Sequence, residues 1–536
     1  MAQFIDLYGL IEVILRGLTL VFEAVTVGGI IFLCFCALPE AMDRAVLIRC
    51  RKLLRISAMA LAVAALGSIA VTTVVLHVTT DGFRWTDVTQ TSFCRAELLL
   101  VIAAVWIAGA AKIIERHWLV LPALAIITGA TLTSHAFARI DNRSLLLFCT
   151  GMHHLATAAW IGGLPWLLIT LQRSNEQSVW VTTQRFSQLA MTSVVVLVIA
   201  GIILGQQYVG SAEGIYGTSY GVMLVAKVVL LALLLVLGAT NFRFLRRKAA
   251  ARPILKTIVK RTVEAETAIG IVVILIASSM TSQPPAVDLT DGRASLSQII
   301  DRFTPHRPRL QTPSVTALAP ATPLNADEAK RFGRPLSYAL SAQPVYNGAA
   351  DIAWSEYNHN WAGICLLTVG LLALIAQMRH IRWARHWPLV FLVLAVFIVI
   401  RADPENWPLG PRGFWESFQV PDVMQHRLAA ALVIAFAIFE WRVRTRRSTQ
   451  SWHALVFPAI CMVGGTLLFI HSHSLGNVKE ELLAEVSHTG IAIFAIIAAV
   501  TRWLQLRLPQ QPPVLGSIWA ACFVLIGVLL TFYREA

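Results

Sequence analysis

The sequence predicts an all-α polytopic membrane protein of about 14 transmembrane helices, with both termini on the outer side of the membrane. Three observations predict it. Of the 536 residues, 57% are hydrophobic and 14% charged, whereas a soluble domain carries about 45–50% apolar and about 25% charged residues. A water-soluble chain of this length needs far more charge to cover its surface, so the surplus apolar residues face lipid. Second, the apolar residues gather in runs near the roughly 20 residues that a helix needs to cross a bilayer. Third, Lys and Arg alternate between loops. About 26 lie in one set, which includes 44–55, 173–185, 243–261, 379–385 and 442–447, and about 9 in the opposite set. The basic set reads as cytoplasmic.

Along the chain, spans centre near residues 25, 66, 101, 126, 158, 197, 230 and 271, an eight-helix half over residues 1–282. An outer loop follows at 283–353, rich in proline (Pro284, Pro285, Pro305, Pro308, Pro313, Pro320, Pro323). That composition predicts a partly extended linker rather than a folded domain. Residues 354–536 hold six more spans, near 367, 394, 433, 462, 495 and 524. Residues 1–10 carry no basic n-region, so a cleaved signal peptide is not expected.

A net charge of +14 raises the question of nucleic acid. The basic residues sit in short clusters between apolar runs, however, where they serve topology. The expected partner is the lipid bilayer, with no nucleic acid. The eight cysteines suggest no disulfide framework. Cys34-Phe35-Cys36 ends the first span; such a pair can receive Cu(I), but i and i+2 thiols on a helix point apart. Glu23 and Lys227 lie inside spans, where a charge costs about 2.5–3.5 kcal/mol at the centre. They are expected to pair across the first and seventh helices, or to line an ion path.

Of the 14 histidines, ten fall on the outer side with this topology. His77, His135, His153, His154, His359, His426, His471, His473 and His488 are at helix ends, and His306 is in the long loop. Neutral imidazole is the commonest metal ligand in proteins. Three groups follow. His135 closes the fourth span and His153-His154 opens the fifth. Adjacent helical residues point about 100° apart, and His153 is favoured because Trp160 shares its face and Gly162-Gly163 permits close packing. This group suits copper or haem iron. Second, His471 and His473 form an extended chelate, followed by Glu481, Glu485 and His488 on one helical stripe, a set that suits Cu(II) or Zn(II). Third, Met424 and His426 follow the Trp407–Trp415 loop, and a thioether beside an imidazole favours copper.

There is no Gly-rich Lys-Ser/Thr loop and no Cys-Pro-Cys, which argues against an ATP-driven pump. No Cys-x-x-Cys-His marks covalent haem. Ser134-His135-Ala136, His153-His154-Leu155-Ala156, Trp160–Leu164, Arg185-Phe186-Ser187, Tyr216-Gly217, Lys227 and Gly238-Ala239-Thr240-Asn241 together resemble the CopD (PcoD) copper-resistance family of bacterial inner-membrane proteins. Ala353–His359, the Trp407–Trp415 loop with Gln425-His426-Arg427, and His471–His488 with Arg502-Trp503 resemble its extended members. Where that family has a fused CopC-like β-sandwich, this chain has the Pro-rich loop. A CopC-like copper carrier is therefore expected as a separate periplasmic protein.

The resemblance implies a transporter or metal-handling protein of the inner membrane rather than an enzyme. Its expected work is copper transport or homeostasis, with periplasmic copper captured by His135, His153, Met424, His426, His471, His473, Glu485 and His488. The alternative is a b-type haem redox protein, a cupric reductase or quinone-linked carrier, with His135 and His153 as axial ligands.

Overall fold

The computed structural model describes residues 2–37, 44–80, 83–111, 116–173, 176–246, 253–318, 349–378, 381–404, 406–445, 451–471, 479–508 and 512–535. No strand forms among them. The α-helices are α1 (Ala2–Phe35), α2 (Arg44–Thr79), α3 (Trp85–Val88), α4 (Ser92–Ala110), α5 (Val120–Leu132), α6 (His135–Ala138), α7 (Arg143–Trp160), α8 (Leu164–Arg173), α9 (Glu176–Val209) and α10 (Ala212–Tyr216). They continue with α11 (Ser219–Arg246), α12 (Pro253–Thr281), α13 (Leu296–Phe303), α14 (Ala349–Ile375), α15 (Val390–Arg401), α16 (Pro421–Arg444), α17 (Val456–His471), α18 (Lys479–Arg507) and α19 (Pro513–Thr531).

Among the described residues, 13 helices are long and apolar enough to cross a membrane. The chain is a multi-pass membrane protein. A helix satisfies its own backbone hydrogen bonds, which lipid cannot do for it. Val63, Ile102, Leu121, Val393 and Leu428 are each more than half exposed, the outward residues such a solvent accepts. The fourth expected span is the short one. α5 has 13 residues, about 20 Å of helix. A 3-10 turn at Arg116–Leu119 precedes it and adds about 8 Å, so the two together approach the hydrocarbon thickness of about 30 Å.

The chain packs as two compact units. One holds Met1–Leu296 with Thr466–Glu485 and Arg507–Gln511; the other holds Ser297–Gly465, Val486–Leu506 and Pro512–Ala536. The sequence reading divides the chain at 1–282, 283–353 and 354–536; within the first unit the start of the Pro-rich segment is packed against the helices. Ala286 is buried in a cluster with Ala136, Tyr208 and Tyr220, and Arg139 is 2.9 Å from Asp288. Further on, Arg302 of α13 lies over the Tyr533 ring at 4.7 Å. Residues 319–348 lie outside the described residues.

In the first unit α1 packs on α2, α7 and α12, and α7 on α9. Glycine sets the α1–α7 distance. A Cβ on Gly28 would sit 2.2 Å from the Ala158 carbonyl oxygen, and one on Gly162 1.9 Å from that of Ala24. In the second unit α14 and α19 touch in the same way. A Cβ on Gly363 would meet the Thr531 nitrogen at 2.2 Å, and one on Gly527 the Leu367 nitrogen at 2.3 Å. Lipid supplies no hydrophobic drive between helices, so close backbone contact carries their association. An aromatic cluster of Trp387, Phe391, Phe457, Trp519 and Phe523 fills the rest of that core.

Candidate functional site

The α1–α7 contact sets the chemistry of the first unit. Gly28 and Gly162 bring the helices together, and Glu23 and His154 then meet across the crossing. Glu23 Oε1 is 2.8 Å from His154 Nδ1, with the Glu23 side chain 3% exposed. Its Oε2 is buried without a hydrogen-bond partner. Two turns earlier on the same face, Arg16 Nη1 donates to Thr133 Oγ1 at 2.8 Å and lies 3.6 Å from Glu97 Oε1. Glu97 Oε2 is likewise buried without a partner.

This corrects the expected Glu23–Lys227 pair. α1 lies against α7, and α11 lies against α12, so the carboxylate meets His154 instead. Lys227, partly buried on α11, lies within electrostatic reach of His153. The roughly 100° between neighbours on a helix sends His153 to another partner, α9. A Cβ on Gly201 would be 3.7 Å from His153 Cε1, and His153 Nδ1 is buried without a hydrogen bond.

His135 stands at the start of α6. Its ring meets Tyr208 edge-on at 6.3 Å, Tyr208 meets Tyr220 in the same way, and His135 Nε2 is buried without a partner. Burial first, then the Arg16 and Arg139 guanidiniums, push its pKa below the usual imidazole range, against a smaller opposing pull from Asp288. The ring is therefore neutral near pH 7, the form that binds metals. His135 faces Tyr208 and His153 faces Gly201. These α9 positions are two turns apart, about 10 Å. The two rings therefore lie at different levels of the bundle, an arrangement that does not favour axial ligation of one haem.

At the other end of α11, Asn241 Nδ2 donates to Glu266 Oε1 at 2.5 Å, and Thr262 Oγ1 donates to Asn241 Oδ1. The Asn241 quoted in the resemblance therefore ties α11 to α12.

The second unit contains a cavity of about 460 Å³ lined by Asp351, Trp354, Ser355, Asn358, His359 and His426, among others. His359 Nδ1 lies 2.9 Å from the Ser355 carbonyl oxygen. A carbonyl only accepts, so Nδ1 carries the proton and Nε2 the lone pair. His426 Nδ1 is 2.8 Å from Asp403 Oδ1. The His359 ring stacks on Tyr533 at 4.1 Å and lies 6.1 Å from His488. Of the expected donors, His488 is thus beside His359. Glu485 is buried one turn before it on α18. Met424 is 49% exposed and, as i to i+2 from His426, faces elsewhere. His471 ends α17, but its side chain lies outside the described residues, as does His473. Among the described residues no three His, Cys, Asp or Glu side chains converge to hold one metal ion.

Sequence reasoning missed Glu97, Glu266, Glu440 and His359 as site residues. Glu440 is buried and lies 2.6 Å from Arg444, whose guanidinium covers Trp387 and Trp519 at 5.0 and 5.3 Å. Each carboxylate was visible as a charge inside a span. His359 was visible as an i+4 partner of Ser355.

A family model described as copper resistance protein D matches residues 180–280, which run from α9 to α12. The resemblance to CopD is borne out there. The Bacillus subtilis (strain 168) protein named copper transport protein CutJ is 27% identical over 227 residues, 38% of this chain and 41% of that relative. The match thus spans less than half of the relative's length. No solved structure matches the chain.

Proposed function

We propose that this chain moves copper across a bacterial inner membrane and takes it up at the periplasmic face through imidazoles at helix ends. The similarity to a copper-resistance family and to a copper transport protein supports the cargo. One geometric observation carries the uptake: His359 and His426 line one cavity, and each ring is held through Nδ1, by the Ser355 carbonyl and the Asp403 carboxylate. Metal-binding histidines are oriented in this way, and imidazole suits copper. The alternation of basic loops supports an outward orientation for this end of the helices. His135, neutral and with Nε2 unpartnered, gives the first unit an uptake point beside the matched segment. His488 lies beside His359 in the second unit, and His471, His473, Glu485 and Met424 stay in the proposal as further donors on the strength of the sequence alone. His153, which faces α9 deeper in the bundle, is left out of it.

Sites of one or two ligands hold an ion weakly. A pathway needs binding strong enough for entry and weak enough for exit. The membrane potential, worth about 2.3 kcal/mol per charge per 100 mV, favours inward movement of a cation. Copper accumulation by cells carrying H359A/H426A and H135A tests the reading. A several-fold loss in both is expected, and undiminished accumulation in both, with normal protein levels, would overturn it.

A further inference from the structure

We infer that the loop between α15 and α16 is an interfacial wedge, whose four aromatic rings sit among the lipid headgroups at that end of the spans. The inference goes beyond the copper reading and does not depend on it. It stands on residues 406–418 and on the faces of the two helices that flank them.

By the standard of a loop in water, this one is inside out. Asn406, Arg412 and Ser417 are 3%, 4% and 1% exposed, whereas Trp407, Phe414, Trp415 and Phe418 are 43%, 38%, 80% and 37% exposed. The four rings form one patch, since Phe414 meets Trp407 at 5.2 Å, Trp415 at 4.9 Å and Phe418 at 5.3 Å. Hydrogen bonds beneath the rings hold them outward. The Ser417 amide donates to the Gly413 carbonyl at 3.0 Å, and the Gly413 amide to Glu416 Oε2 at 2.9 Å. Arg427 then ties the loop to the helix ends. Its Nη1 donates to the Val399 carbonyl at 2.7 Å and its Nη2 to that of Trp407, with the guanidinium 5.8 Å from the Trp407 ring centre. A contiguous apolar patch held open in this way marks an interaction surface for protein or membrane.

Continuity with the lipid-facing surface selects the membrane. The crossing segment before the loop ends at Arg401, six residues ahead of Trp407, and the next begins at Val423, five residues after Phe418. The patch is therefore tethered closely to the edge of the hydrocarbon on both sides. Exposed aliphatic rows lead up to it on both helices. On α15 the row is Val393, Val396 and Ile400, and on α16 it is Leu428, Leu432 and Ala435. Steps of three and four keep each row on one helical face. Lipid covers such rows in a spanning helix, and the aromatic patch begins where they stop. Trp is enriched at this level of a bilayer, because its ring has an apolar body and a polar N–H. A docking surface for a soluble protein has no need of that continuity. The wedge also sets the level of the cavity that His426 lines. His426 is next to Arg427 in the chain, so the cavity mouth is held beside the headgroups.

Depth-dependent quenching tests this on the full-length protein in phosphatidylcholine vesicles. Trp415→Cys carries a thiol-linked fluorophore, labelled wild type gives the background from native cysteines, and Leu432→Cys gives the depth reference. The quenchers are a nitroxide on the lipid headgroup, a nitroxide deep in the acyl chain, and aqueous iodide. At position 415 the headgroup nitroxide should quench several-fold more strongly than either of the others, and at position 432 the deep nitroxide should quench most. Iodide as the strongest quencher at 415 would put the patch in water, free for a partner protein, and overturn the inference. Quenching by none of the three would put it against protein, such as a second copy of this chain, and strongest quenching by the deep nitroxide would make the loop part of the span. Either result overturns the inference as well. Should Trp415→Cys not fold, Phe418→Cys in the same patch gives the same decision. Copper plays no part in the readout, so every outcome leaves the copper reading untouched.

Discussion

Glu23 and His154 meet at 2.8 Å between α1 and α7, whose backbones come close at Gly28 and at Gly162 in the turn that follows α7. Contact and chemistry are one feature here. The absent side chains of two glycines bring a carboxylate within reach of an imidazole in the middle of a bundle.

A double-mutant cycle in detergent should therefore find coupling between positions 23 and 154. Residues in direct contact couple by about 0.5–3 kcal/mol. The same cycle on Glu23 and Lys227 should give a value near zero. Equal coupling in both cycles contradicts the geometry.

Alanine at Gly162 places a Cβ where the Ala24 carbonyl oxygen lies 1.9 Å away. Backbone cannot move aside as a side chain does, so the helices must separate. Overpacking typically costs about 1–3 kcal/mol. The expected result is a lower unfolding temperature. Gly238, whose added Cβ meets nothing within 4 Å, is the control that should tolerate alanine.

These relationships show what was legible in the sequence. Apolar runs and alternating basic loops announce helices and their order, because lipid leaves the backbone no other option. They do not announce which helices touch. The choice between His153 and His154 turned on one step of 100°, and Gly162-Gly163 gave close packing without naming the partner. The carboxylate was paired with Lys227 because both are charges inside spans, yet an unlike charge attracts only from the helix it packs on. Of the expected copper donors, His426 lines the unit 2 cavity, whereas His359, which lines it too, was passed over because a lone histidine near a helix end is usually structural. Glu266 went unnoticed because its partner, Asn241, carries no charge.

Asn241→Ala removes a donor from the buried Glu266 carboxyl group. Stranding a buried polar group costs about 1–3 kcal/mol, more when it is charged. Thermal unfolding should show a loss of that size. Asn241→Asp should be worse, since it sets two carboxyl groups together, and equal stability of all three proteins would be inconsistent with the hydrogen bond.

His135 sets a pH dependence whose sign follows from its burial. Its pKa in the folded protein lies below the ordinary 6.5. The unfolded chain therefore binds the proton more readily, and folded stability falls as pH drops below about 6.5 toward the folded value. Above that window the penalty is absent. Unfolding temperatures of wild type and His135→Gln, measured from pH 7.5 down to pH 5, should converge or cross as the wild type loses this stability. Parallel curves would show that the imidazole is not held neutral.

Asp403 gives the sharpest check on the uptake cavity, because it touches the ligand and not the cargo. Its Oδ1 holds His426 Nδ1 at 2.8 Å. Partners of this kind fix the ring and its tautomer, and their loss typically costs about 10–100-fold in metal affinity. Asp403→Ala should therefore weaken copper binding at the cavity while His426 remains in place. Asp403→Asn keeps an acceptor oxygen and should fall between the two. A merely structural Asp403 predicts a different pattern: lower stability in both variants, with copper affinity per folded molecule unchanged. Copper titration of the folded fraction, beside thermal unfolding of the same samples, separates the two outcomes.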